Sequence, residues 1–289
     1  MSTVSAVRDP APVRQRPMLL ALARVEARRF ALHPLFLFGT GTVVVLAVVQ
    51  LFQQSGGGGS PIGAVVVIAF LVGVFGFVVA HRLTTSMRRT ADLAGTAPLG
   101  RQQRTAALCL ACLVPFAVGC VATAFMLITQ IVWPPVGIPA SAHVASFRDE
   151  PDLALVTAVL AMAPVATLGG PLLGVAVARW APFRGSALVG VVTLLFVCAA
   201  DGDAGHPWNL LAPWPILYEE RTVDNSDAMA TSWLLPQISP PWVLGYVLCL
   251  CGLAVVAALL RDRANRRKLL WVGGVLTVCA LVCFTLAGT

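Results

Sequence analysis

Seven long apolar runs divide the chain, at residues 34–52, 61–80, 106–132, 153–178, 185–200, 241–260 and 269–287, and none contains Asp, Glu, Lys, Arg or His. Most approach the ~20 residues with which an α-helix crosses the hydrocarbon core of a bilayer. The pattern predicts an all-α fold: a polytopic membrane bundle of six to seven transmembrane helices, preceded by an interfacial helix.

The charges between the runs give the bundle a direction. Eighteen of the 20 Lys and Arg residues fall in alternate gaps: the N-terminal segment, the gap after the second run, Arg179 and Arg184 after the fourth, and the cluster from Arg261 to Lys268 before the seventh. Only Arg148 and Arg221 lie in the other gaps, which hold most of the acidic residues. The positive-inside rule then predicts a multi-pass protein of the cell inner or plasma membrane, with its N-terminus cytoplasmic and its C-terminus external. On this reading residues 1–33 are a cytoplasmic tail and interfacial helix, and residues 34–289 the transmembrane domain. A cytoplasmic loop lies at 82–104 and an external one at 201–240.

A chain that is 58% hydrophobic and 11% charged has too much apolar surface for an ordinary soluble domain, so lipid is its solvent. The net charge of +7 therefore serves topology and contact with anionic headgroups. It predicts no nucleic-acid partner, because no basic stripe is interleaved with aromatics. All eight cysteines lie inside apolar runs, where desolvation opposes the thiolate, and they read as small packing hydrophobes. The four histidines have no metal-ligand spacing. Residues 1–17 are polar, Pro-rich and Arg-bearing, and are not expected to act as a signal peptide.

Several segments invite closer reading. Residues 18–33 carry Arg24 and Arg28 on one helical side and Met18, Leu22, Val25 and Leu32 on the other, while Glu26 and Arg29 intrude on the apolar side. This is the predicted interfacial helix, partly buried against protein. In the gap after the second run, residues 82–94 suit a short helix, Gly95 a C-terminal stop, and Pro98 with Gly100 a turn back. The third run, at 27 residues, predicts a tilted or projecting span. In the fourth, Gly169-Gly170-Pro171 predicts a kink, and Gly170 with Gly174 forms a GxxxG pair suited to close helix packing. The segment 201–240, with Trp208, Trp214 and Trp233 in it and Trp242 just beyond, reads as an interfacial or re-entrant cap or as a loop with aromatic anchors.

The chemistry available is limited. Uncharged runs argue against a proton- or sodium-coupled carrier. No Ser/His set, carboxylate pair, H-E-x-x-H or Walker A motif is present, so the chain is not read as an enzyme and carries no cofactor of its own.

The residues from Leu22 to Gly39, with Leu93-Ala-Gly-Thr-Ala-Pro-Leu-Gly-Arg101 and Pro241-Trp-Val-Leu-Gly-Tyr246, resemble segments of the permease subunits of ABC type-2 exporters, above all those of actinobacteria. That resemblance implies a half-transporter in which two permease chains, here a homodimer, join two ABC ATPase subunits that hold ATP and Mg. It implies that residues 88–101 are the coupling element, with Arg88, Arg89, Asp92 and Arg101 offering charge pairs and Leu93 and Pro98 shaping the contact. Arg24, Glu26, Arg28 and Arg29 then belong to an interfacial helix beside the ATPase. The family commonly has six spans with both termini inside, whereas the seven runs here put the C-terminus outside. Uncharged spans suit a hydrophobic or amphipathic cargo. A non-transporting scaffold or sensor component and an ion-coupled or passive carrier are the alternatives; a basic cytoplasmic loop also serves simply to fix topology.

Overall fold

A computed structural model describes residues 15–55, 61–93, 100–132, 152–183, 185–200, 217–222, 230–234, 238–262 and 265–288, which form a helical membrane bundle. In chain order the elements are α1 (Gln15–Ala31), α2 (Pro34–Ser55), α3 (Pro61–Leu93), α4 (Arg101–Ala111), α5 (Leu113–Val132), α6 (Asp152–Leu160), a π-helical segment (Ala161–Val165) and α7 (Ala166–Trp180). There follow α8 (Ser186–Ala200), β1 (Tyr218–Thr222), β2 (Ala230–Leu234), α9 (Pro240–Leu260) and α10 (Arg266–Ala287). All seven apolar runs fall on helices. Among the described residues, five helical stretches are long and apolar enough to cross a membrane: Val66–Arg88, Arg101–Phe125, Val156–Trp180, Pro240–Leu260 and Arg266–Ala287. A sixth arises if the bent pair α1 and α2 is taken as one span, and Ser186–Val197 in α8 is an apolar helix of lesser length.

The bend between α1 and α2 is 60° and falls at His33-Pro34. Proline has no N–H and disfavours helical backbone in the residue before it. His33 instead caps α2: its carbonyl accepts from the N–H groups of Phe36 and Leu37 at 2.9 and 3.0 Å, and its Nδ1 from Leu35 N–H at 3.3 Å. Phe30 and Phe36 meet edge to face across the bend at 5.1 Å. Helix α1 packs chiefly on α4. Its buried stripe is Ala23, Glu26 and Phe30, while Val25 and Leu32, assigned from the sequence to the apolar face, are exposed. Glu26, which looked like an intruder, is therefore the residue turned into the protein; Arg29 Nη1 donates to its Oε1 at 3.1 Å.

Helix α3 is 33 residues long, about 50 Å at 1.5 Å per residue, well beyond the ~30 Å hydrocarbon core. The short separate helix predicted over 82–94 is instead the unbroken end of this span. Nothing from His81 to Leu93 breaks a helix. The hydroxyls of Thr84 and Thr85 bond back to Ala80 O and His81 O at 2.7 and 3.0 Å, which is compatible with helical backbone.

The centre of the bundle is the contact of α3 with α7. Gly170 and Gly174 of α7 lie directly on the backbone of α3 at Gly73 and Phe77, so closely that a methyl group at either glycine would overlap a main-chain carbonyl. The GxxxG pair thus packs inside one chain. The predicted irregularity of this span sits earlier than expected. Helix α7 runs through Gly169, Gly170 and Pro171 as α-helix, while the π-helical turn surrounds Pro164. A proline ring clashes with the carbonyl four residues back, and the wider π-turn accommodates it. Pro171 lies against Gly76 of α3, where a Cβ would come within 2.6 Å of the ring.

The long third run divides into α4 and α5 at Cys112. Helices α9 and α10 form an antiparallel pair joined at one end by Asn265, which holds φ 58° as the N-cap of α10. At the other end Ser239 N–H donates to Ala287 O at 3.0 Å. The antiparallel hairpin of β1 and β2, with Tyr218 opposite Leu234, was not foreseen and is the exception to an all-helical bundle among the described residues. It follows Leu217, which is 1% exposed and whose N–H meets Met162 Sδ of the π-turn at 3.4 Å, so this gap does enter the core. Trp208 and Trp214 lie outside the described residues.

Candidate functional site

The arginine-bearing ends of α3, α4, α7 and α9 come together. Four spanning stretches have a boundary there: Arg88 ends one, Arg101 begins another, Arg179 is the penultimate residue of the third, and Arg261 directly follows Leu260 of the fourth. The last carbonyls of a helix lack intrahelical partners. In α7 and α9 they are satisfied across the interface. Arg179 Nε donates to Ala258 O at 3.4 Å and Trp180 Nε1 to Ala257 O at 2.7 Å, both near the end of α9. In return, Arg261 Nη1 donates to Arg179 O, and Arg88 Nη1 reaches from α3 to Ala178 O at 3.2 Å. Cations at helix C-termini also complement the negative end of the macrodipole. The ends of three helices are thereby tied into one unit.

Within this unit Arg179 Nη2 and Asp262 Oδ2 are 2.6 Å apart, with side chains only 9% and 13% exposed. The contact is ionic but poorly angled, and neither atom has a hydrogen bond. Beside the pair is a pocket of about 170 Å³, lined by Arg88, Arg101, Arg104, Arg179, Arg261 and Asp262, with Thr84, Thr105, Met87 and Leu108 completing the wall. A second tie joins α3 to the start of α8. His81 Nε2 lies 2.8 Å from Ser186 Oγ, whose hydroxyl donates to Phe183 O at 3.0 Å, so the imidazole N–H is the donor to the serine.

Of the residues singled out for coupling, Arg88 and Arg101 line the pocket. Arg89, Asp92 and Leu93 are on the last turns of α3, with side chains outside the described set, and Pro98 lies outside the described residues. Arg24, Arg28 and Arg29 are on the exposed side of α1, away from the buried Glu26. Reading by sequence gave Arg104, Arg179 and Arg261 only a topological part and overlooked Asp262 and Trp180. The available signal was Asp262 itself, an acid set between Arg261 and Arg263.

Among the described residues no group of three His, Cys, Asp or Glu could hold a metal, and the cysteines described are free. Comparison with known proteins returned no match: no family model, no curated protein and no solved structure is significantly similar to the chain.

Proposed function

We propose that the chain is the membrane-spanning permease subunit of an ATP-binding-cassette exporter, working as one of two permease copies with ATPase subunits that supply ATP hydrolysis. The observation that carries this reading is α3. It extends past the bilayer as one rigid helix, and Arg88 ties it to the end of α7, so that a force on residues 82–93 would reach the spans directly. The basic end, by the positive-inside rule, is the cytoplasmic one. Helix α1, bent 60° from α2 and packed on α4, lies beside that extension as a second surface for an ATPase.

The seven apolar runs contain no Asp, Glu, Lys, Arg or His for relaying a coupling ion, which favours an external energy source. Close packing at Gly170 and Gly174 is spent within the chain, so a second copy would use other faces, such as the outer side of α10 with Trp271, Val275 and Val278. The same uncharged helices suit a hydrophobic or amphipathic cargo.

The test is co-purification. A P-loop ATPase should be retained by the wild-type chain and released by charge reversal of Arg89 and Asp92 together. Nucleotide-independent transport by the lone chain in proteoliposomes would sink the reading.

A further inference from the structure

We propose that the arginine-lined pocket at the basic end holds the phosphate of an anionic phospholipid headgroup, phosphatidylglycerol-like in chemistry, and that this lipid completes the junction of α3, α4, α7 and α9.

Charge is the first reason. Five arginines from four helical ends face one pocket, and Asp262 is the only acid among its described lining residues. Like charges at such range repel each other, and an arrangement of this kind is stable with an anion between them. Arginine is suited to the task, because its planar fork binds two phosphate oxygens at once.

The second reason is unfinished hydrogen bonding. Arg179 is 8% exposed, and its Nη2 has no hydrogen bond despite ionic contact with Asp262. The Arg104 side chain makes no hydrogen bond or ion pair among the described residues. These donors come from α7 and α4, on separate sides of the pocket. A phosphate between them supplies the missing acceptors and meets the positive end of the α4 dipole.

Size and position choose the source. At about 170 Å³ the pocket is many times the ~10–15 Å³ that one water needs, which is room for a phosphate group. Met87 and Leu108 form an apolar part of the wall. The arginines stand where four spanning stretches end, which is the level of the headgroups, and basic pockets between spans are built for anionic lipid there. A free phosphate from solution shares the chemistry but has no use for the apolar wall.

Binding can be read without any ATPase or nucleotide, so its failure is separable from failure of the permease reading. The delipidated chain is reconstituted in phosphatidylcholine nanodiscs, phosphatidylglycerol is titrated in, and lipid retention is followed by native mass spectrometry with thermal unfolding in parallel. Phosphatidylglycerol should be retained selectively at low stoichiometry and should raise the unfolding temperature. Arg104→Gln breaks no bond within the chain and should weaken retention about tenfold, the scale of one charge-assisted hydrogen bond. Asp262→Asn, which removes the acid from the described pocket wall, should strengthen it severalfold. The exposed arginine change Arg267→Gln, at the same end of the bundle, should leave it unchanged.

Equal retention by Arg104→Gln and wild type would overturn the site. Equal losses in Arg104→Gln and Arg267→Gln would reduce it to general surface charge. If inorganic phosphate in a phosphatidylcholine disc reproduces the full stabilisation, the occupant is a free anion and the lipid assignment fails. Displacement of the lipid by a co-purified acidic protein would assign the pocket to a partner instead.

Discussion

Arg179, at the end of α7, meets Asp262, two residues beyond the end of α9, at 2.6 Å in a setting nearly closed to solvent. The contact joins two neighbouring spans at their basic ends, where each also caps the other through Arg179, Trp180 and Arg261. Removing one partner of a buried ion pair leaves an uncompensated charge and costs ~3–5 kcal/mol. Asp262→Ala should therefore lower the unfolding temperature in detergent strongly. The joint replacement Arg179→Met with Asp262→Leu should recover most of that loss, and a double-mutant cycle on unfolding free energy measures the coupling. Additive single losses, with no recovery in the pair, would show that the contact is incidental.

The α3–α7 interface gives a second outcome. At Gly174 a side chain would run into the carbonyl of Phe77, and a helical main chain yields less than a flexible side chain. Gly174→Leu should destabilise by at least the upper end of the ~1–3 kcal/mol typical of overpacking. Gly274→Leu is the control, because nothing lies within contact distance of a Cβ there, and it should be nearly neutral. Equilibrium unfolding of the two variants in the same detergent compares them.

His33 makes the start of α2 sensitive to pH. Its Nδ1 accepts the N–H of Leu35, and the imidazole's pKa lies below its ordinary value because of partial burial first and the Arg82 guanidinium second. The neutral form is thus favoured in the folded chain. Its contribution is complete above the ordinary value of 6.5 and fades as pH falls from there through the lowered folded pKa. Wild type should lose stability in that window relative to His33→Asn, an N-cap residue that does not titrate. Parallel pH–stability curves decide it; curves of the same shape would remove His33 from the account.

Arg88 tests the mechanical link in the proposed permease. Arg88→Ala deletes a hydrogen bond from a charged donor to Ala178 O, worth about 1.5–3 kcal/mol at most and less where water reaches the bond. The chain should remain folded and still bind its proposed ATPase through the last turns of α3. Substrate-stimulated ATP hydrolysis by the reconstituted complex should nevertheless drop severalfold. Unchanged stimulation would mean that force does not pass through this contact.

The helical bundle was legible in sequence because a spanning helix needs only a local property, some 20 apolar residues in succession. Each of the seven runs is helical for that reason. The α1–α2 bend was signalled by Pro34, which acts on its own neighbours. Non-local choices were not legible. Whether Glu26 or Val25 of α1 faces the protein depends on which side α4 occupies, and helical periodicity has no knowledge of α4. Likewise, Pro164 and Pro171 look alike in sequence, yet only the first lies in a π-turn while the second sits beside Gly76 of a neighbouring helix.

The same division runs through the candidate site. Sequence by itself determined that the arginines gather at one end of the bundle, since charge cannot enter the hydrocarbon and must collect in alternate gaps. Tertiary structure alone decided that Arg88, Arg101, Arg104, Arg179 and Arg261 share one pocket with Asp262. Helix order around the bundle brings together residues more than 170 positions apart, because close approach at Gly170 and Gly174 fixes α7 on α3 and cross-capping fixes α9 on α7.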